Sequence, residues 1–347
     1  MDDKITLQKI SKATGVAVST VSKALKGQKG VKEDKRQEII STAEKMGYVK
    51  STIKENSKTL LVVFPSPEGE DRYFYQYIWK GIRDKVFETQ GLGLKVIEKT
   101  FDGSIYDQKI ILKAMLHDNN INIDGIVTII WDENEFAEIL DECYEKGIEV
   151  FTISSDAPYS RRIATVLSNP YRKGRLAAEY LGAVIHGNGK VIIAGTRRDI
   201  LNHAQEVRGF FNQMSISNPN LQIIELYESK EYPEKTWDTL LDFLKSLPDV
   251  KGIYANNARM TKLLGMHILH SPYKDRLKMV GSEIFQESIE YMKKDVFCAL
   301  IDQKPYDQGY KGIDLAFQYL VKKKNVSQIN YVTNNLYLRN NLPDEHI

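Results

Sequence analysis

The chain has 347 residues, 42% of them hydrophobic, and a net charge of only +2, so it should hold two or three folding units with ordinary cores. No run approaches the roughly 18 to 20 apolar residues of a membrane span, and the N-terminus MDDKITLQKI has no apolar signal core, so neither insertion nor export is expected. The two cysteines, Cys143 and Cys298, fall far apart inside apolar elements and read as buried free thiols of a reducing compartment.

The charge is unevenly spread. Residues 1–58 hold 13 Lys or Arg and 7 Asp or Glu, a net +6, which leaves −4 on the other 289 residues. A cationic small unit joined to a mildly anionic large one suits phosphate contact by the small one.

In chain order, ITLQKISKATGVAVSTVSKALKG (5–27) reads as two short helices around a tight turn. Thr6 stands where an N-cap belongs, and Leu7, Ile10 and Ala13 share the inner face of the first helix. Gly15 supplies the left-handed residue that reverses the chain. In the second helix Val21, Ala24 and Leu25 face inward, and Val18, Ser19, Ser22 and Lys23 face out. Such an outer face suits the DNA major groove: small side chains permit close approach, Ser donates and accepts, and Lys reaches guanine edges or phosphate. An ordinary helical hairpin with a polar face is the structural alternative. A third helix is predicted over about 32–46, with Ile39, Ile40, Ala43 and Met46 inward and Gly47 as its stop; Lys35 and Arg36 near its start face phosphate or solvent. Residues 49–58, VKSTIKENSK, form a polar linker.

From Thr59 the pattern changes to apolar strands alternating with amphipathic helices. Strands are predicted at 60–64, 95–98, 125–130, 149–153, 164–168, 191–194, 222–227, 252–255, 278–281 and 298–301. This alternation implies parallel sheets covered by helices, and ten strands favour two sheets over one. Ligands of such sheets bind beyond the carboxyl ends of the strands. There the sequence places Tyr73 and Phe74, Trp131, Asp156, Asn169, Asn202 and His203, Asn256, Glu283 and Gln303. Aromatic rings beside carboxylates and amides suit a sugar: rings cover its C–H faces and polar groups pair its hydroxyls. Each residue also has a structural alternative. Trp131 can simply pack a surface, Asp156 can be a turn residue, and His203 can be a cap. An enzymatic reading finds no nucleophile elbow, phosphate loop or zinc pattern, and no cofactor is expected.

Thr6-Leu7, Ile10, Ala13, Gly15-Val16, Ser19 to Leu25, Gly30-Val31, Ile39 and Ala43 through Tyr48 together resemble the DNA-binding headpiece of the LacI/GalR family of bacterial repressors. The resemblance implies DNA contact by Thr6, Val18, Ser19, Thr20, Ser22, Lys23 and Lys26. Two positions depart: Ala17 replaces the usual capping Ser, and Lys23 replaces the usual Arg. The family's hinge-helix pattern of Asn, Ala and Leu is also missing, with Ile53 the one apolar candidate for a minor-groove wedge.

Asp156-Ala157-Pro158, Asn169 through Ala177, Arg208-Gly209-Phe210 and Asp302 through Tyr310 extend the resemblance to the family's periplasmic-binding-protein-like sensor. The implied architecture is a small all-α helix-turn-helix domain (1–48), a linker (49–58) and a two-lobe α/β domain with parallel sheets (59–347). Lobe one takes 59–163 and 303–329, and lobe two takes 164–302 and 330–341. The resemblance puts ligand contact at the strand-end residues above, with Arg208 nearby. It departs at Glu206, where the family has Arg, and at Glu283, where it has Asp. The implied molecule is a cytoplasmic homodimer, away from membranes, that binds operator DNA and answers to a sugar-like effector. A solute-binding receptor module without DNA regulation is the alternative.

Overall fold

A computed structural model describes residues 5–25, 30–46, 57–69, 71–102, 104–197, 200–228 and 233–343. The chain divides into two compact units, Met1–Ser57 and Lys58–Ile347.

In the first unit α1 (Leu7–Thr14), α2 (Val18–Leu25) and α3 (Glu33–Lys45) enclose a small core of Ile10, Val21, Ala24, Ile39 and Ala43. Thr6 caps α1 by accepting the Lys9 amide, and Gly15 closes it at φ 67°. With Ala17 in place of a capping hydroxyl, α2 begins on backbone bonds alone, from the Thr20 and Val21 amides to the Ala17 carbonyl. One inward position differs from the expectation. Ala13 is exposed, and Thr14, four residues after Ile10, is buried with its hydroxyl on the Ile10 carbonyl at 2.8 Å. Lys26, the Gly47 stop and linker positions 49–56, Ile53 among them, lie outside the described residues.

The second unit has two sheets. The first holds β1 (Lys58–Pro65), β2 (Leu94–Phe101), β3 (Gly125–Thr128), β4 (Glu149–Ile153), β5 (Ala164–Ser168) and β11 (Ile329–Val332), ordered β11-β5-β4-β3-β1-β2 and parallel throughout. The second holds β6 (Gly189–Thr196), β7 (Leu221–Tyr227), β8 (Val250–Ala255), β9 (Lys278–Ser282), β10 (Ala299–Asp302) and β12 (Asn335–Tyr337), ordered β12-β10-β9-β8-β6-β7 with only β12 antiparallel. All ten predicted strands form. Leu60 to Phe64 and Val191 to Ala194 are fully buried, as strands covered on both faces must be.

The lobe boundary differs from the expectation. β5, assigned to lobe two, lies in the first sheet between β4 and β11. The link 154–163 that precedes it carries no helix, so the strand reads in sequence as the start of something new. β11 runs across the expected 329/330 division and also belongs to the first sheet. The chain therefore changes sheets near residue 169, at 303–304 and at 333–334.

The helices between strands are α4 (Arg72–Glu88), α5 (Ile105–Leu116), α6 (Glu133–Glu145), α7 (Pro170–Val184), α8 (Leu201–Ser217), α9 (Pro233–Ser246), α10 (Ala258–Ile268), α11 (Gln286–Lys293) and α12 (Pro305–Leu320). Each lobe has one very close helix pair. A Cβ on Gly174 of α7 would sit 1.9 Å from the Glu206 carbonyl oxygen of α8, and one on Gly209 would sit 2.1 Å from that of Tyr171. Gly81 of α4 and Gly309 of α12 meet the carbonyls of Tyr306 and Ile78 in the same way, each at 2.1 Å. Gly174→Ala is therefore expected to destabilise the chain by about 1–3 kcal/mol, despite alanine's better helix propensity. Urea unfolding of the two proteins side by side checks this.

Cys143 is buried and Cys298 half-buried, with no disulfide between them. Among the described residues, no helix is long and apolar enough to cross a membrane.

Candidate functional site

α2 presents Val18, Ser19 and Lys23 exposed, with Thr20 and Ser22 half-buried beside them and Val21 and Ala24 fully inside. Thr6, at the start of α1, is also exposed. The outer face of α2 thus carries three hydroxyls, an isopropyl group and an ammonium, with no acidic side chain on the helix. Arg36, read as facing phosphate or solvent, instead donates to the Ala24 carbonyl at 3.2 Å and fastens the end of α2 to α3.

In the large unit the strand ends of the two sheets face a cleft of about 820 Å³. Of the eleven residues expected there, Phe74, Trp131, Asn202, His203, Asn256, Glu283 and Gln303 line it. The lobe-one wall is aromatic. The Trp131 ring meets Phe101 edge-on at 5.7 Å, and Phe74 meets Tyr75 in the same geometry at 5.3 Å. Burial pushes the Tyr75 phenol well up, so it stays a neutral hydroxyl.

Four expected contacts lie elsewhere. Tyr73 is turned from the cleft and bridges the lobes: its ring packs on Phe285 at 4.9 Å, and its hydroxyl accepts from Lys262 and, at 2.6 Å, from Arg72. Phe74 and Tyr75 on the same helix face the cleft, and Tyr73 points to Phe285 instead. Asp156 is a turn residue, held by the guanidinium of Arg162 and capping the Ala157 amide at 2.8 Å. Asn169 caps α7 by accepting the Arg172 amide at 2.9 Å, and its carbonyl receives Asn334 from another sheet crossing. Arg208 is exposed, with its guanidinium over the Tyr171 ring at 5.5 Å.

The lobe-two floor holds a charged group that strand-end reasoning missed. Lys173 is fully buried, 3.3 Å from the Glu206 carboxylate, and donates to the Asn256 carbonyl at 2.7 Å. The Tyr254 hydroxyl donates to the same carboxylate at 2.5 Å. Glu206, the departure noted above, is thus the counter-ion of Lys173. The signal was present in the sequence. Lys173 falls in the inward stripe Pro170, Lys173, Gly174, Ala177, Ala178 and Leu181, and a lysine in an apolar stripe has to be paired. Nearer the mouth, Arg259 pairs with Glu228 at 2.8 Å and reaches Asp71 of lobe one at 3.5 Å. Asn202 donates across the cleft to the Ser154 carbonyl.

Glu283 is the most deeply buried of the acids that line the cleft. It sits at φ 72°, a left-handed conformation that a non-glycine residue adopts at a cost of roughly 1 kcal/mol, and its carboxylate receives Gln303 Nε2 at 2.6 Å. Burial pushes its carboxyl up to about 8. Since the fold then holds a proton that the unfolded chain releases at ordinary carboxylate pH, stability is expected to fall as pH rises from about 5 to 8. Denaturant titrations at pH 5, 6.5 and 8 test this, and Glu283→Gln should flatten the slope.

Among the described residues no group of three His, Cys, Asp or Glu is placed to hold a metal ion.

Comparison with known proteins gives two family matches: bacterial regulatory proteins, lacI family, over residues 6–51, and the periplasmic binding protein domain over 62–324. The HTH-type transcriptional regulator DegA of Bacillus subtilis is 24% identical over 244 residues, which is 69% of this chain and 70% of that protein. The HTH-type transcriptional regulator RegA of Clostridium saccharobutylicum is 20% identical over 338 residues, 94% of this chain and 95% of its own. Among solved structures, GanP, a glucose-galactose binding protein from Geobacillus stearothermophilus, superposes with a TM-score of 0.73 at 25% identity, covering 83% of this chain and all of its own.

Proposed function

This chain belongs to the LacI family of bacterial regulatory proteins, with a periplasmic binding protein domain as its large part, and on that premise we propose that it is a sugar-responsive, DNA-binding transcriptional regulator, acting as a repressor. The observation that carries this is one polypeptide with two parts: a helix whose exposed face fits the major groove, and a cleft walled by aromatic rings and floored by buried polar groups. Phe74 and Trp131 cover the C–H faces of a pyranose-sized ligand, and Asn256, Glu283 and Gln303 pair its hydroxyls.

A single headpiece makes too few contacts for specific binding, so the working unit is a homodimer on two half-sites of a pseudo-palindromic operator, inside the cell with its DNA. Ligand acts through its preference for one arrangement of the lobes, which alters operator affinity. The similarity to regulators supports a switch in place of a catalyst. The solute-receptor alternative leaves the groove-shaped face of α2 without a use.

Selection of duplexes from a random library by the full chain tests the reading. Two inverted half-sites are expected to be enriched. Recovery of unrelated sequences, bound only at low salt, would count against it.

A further inference from the structure

The three innermost carboxylates that line the cleft from lobe two differ in how they are balanced. Glu206 has Lys173, and Glu228 has Arg259. Glu283 is 1% exposed and is held only by neutral donors of Gln303, the side-chain amide at 2.6 Å and the backbone amide at 3.3 Å. Among the described residues no Lys or Arg comes within ion-pairing distance of it. The charged and titratable groups that face it are Lys173 of α7, Tyr254 of β8 and Asp302 at the end of β10. Lys173 is committed to Glu206, and Asp302 has its own partner in Lys304 at 3.5 Å. An ionised Glu283 would give the cluster of Glu206, Lys173 and Glu283 one buried negative charge too many, and a buried charge without a partner is strongly disfavoured.

Beside it lies a second unmet need. Asn256 is 1% exposed and lines the cleft, and its Nδ2 has no hydrogen-bond partner among the described residues. The floor thus offers an acceptor that lacks a cation and, one strand over, a donor that lacks an acceptor.

Resting on the sugar-sensing reading above, we propose that the ligand of this cleft carries an ammonium beside a hydroxyl, as a 2-amino-2-deoxy sugar does. The ammonium pairs with Glu283, and the adjacent oxygen accepts from Asn256 Nδ2. Phe74 and Trp131 cover the ring, and the face of an aromatic wall also favours a cation. Pairing ionises the Glu283 carboxyl, so its proton leaves to the buffer as the ligand binds.

Calorimetry of the full chain at pH 7 tests this with three sets of probes: galactosamine, glucosamine and mannosamine; their neutral parent sugars; and the matching uronic acids. At least one amine is expected to bind about tenfold or more tighter than its parent, the worth of one charge-assisted pair. Its heat should vary between buffers of different ionisation enthalpy, marking release of up to about one proton. Glu283→Gln should bind amine and parent alike and release none. A parent or uronate that binds as tightly as its amine, or a preference that survives in Glu283→Gln, overturns the ammonium while leaving a sugar sensor in place. If no compound of any set binds at millimolar concentration, the sugar reading fails with it.

Discussion

Lys173→Met is expected to destabilise the large unit by roughly 3–5 kcal/mol, because it leaves the Glu206 carboxylate buried without its counter-ion and strips a donor from the Asn256 carbonyl. The side chain is fully buried, so water cannot take over its role. The logic of a buried pair also predicts the repair. Lys173→Met combined with Glu206→Leu removes both charges and should recover most of the loss. A deficit of about 1 kcal/mol should remain from the Tyr254 hydroxyl, which loses the carboxylate it donates to. Chemical denaturation of the single and double variants measures all of this. Equal stability of Lys173→Met and the parent would mean that the ion pair contributes nothing.

The second large effect belongs to DNA. Ser19→Ala and Lys23→Ala each remove one contact per headpiece, of about 1–3 kcal/mol if it is a base contact. In a dimer each loss is counted at both half-sites, so specific affinity should fall by a factor on the order of 30 to 20,000. Both side chains are exposed, so folding stability should change by no more than about 0.5 kcal/mol. The two are distinguishable by salt. Loss of a phosphate contact by Lys23 lowers the slope of log affinity against log salt by about one per contact, and loss of a base contact by Ser19 leaves it unchanged. Fluorescence anisotropy on a selected operator over a range of salt reads both.

Much of the fold is legible in the sequence, for a physical reason. Strands buried on both faces are written as continuous apolar runs, so LLVVF and VIIA announce themselves. β11 and β12 do not, because they are short and half-exposed and their side chains follow no apolar run. The headpiece was readable because its turn and caps use residues with narrow conformational roles, Thr6 and Gly15 above all. Ala13 lies outside the core because the helix sets Thr14, not Ala13, four residues after Ile10, and a hydroxyl bonded to its own helix can be buried.

The cleft was legible in outline and not in detail. The rule that ligands bind beyond strand ends located Trp131, Asn256, Glu283 and Gln303. It says nothing of side chains that enter from the inward stripe of a helix, which is how Lys173 and Glu206 arrive. Nor does it separate a residue that faces the cleft from one that caps the next helix. Asn169 and Asp156 stand at strand ends, yet their side chains are consumed by a helix N-terminus and by Arg162.

In a sugar-responsive regulator the state of the cleft must be felt at α2. Operator affinity measured by anisotropy with and without a sugar that binds the full chain, paired with that sugar's affinity measured with and without operator, tests it most directly. The two affinities are expected to change by the same factor, about 5- to 150-fold. Operator binding that stays constant from empty to saturated cleft would contradict it.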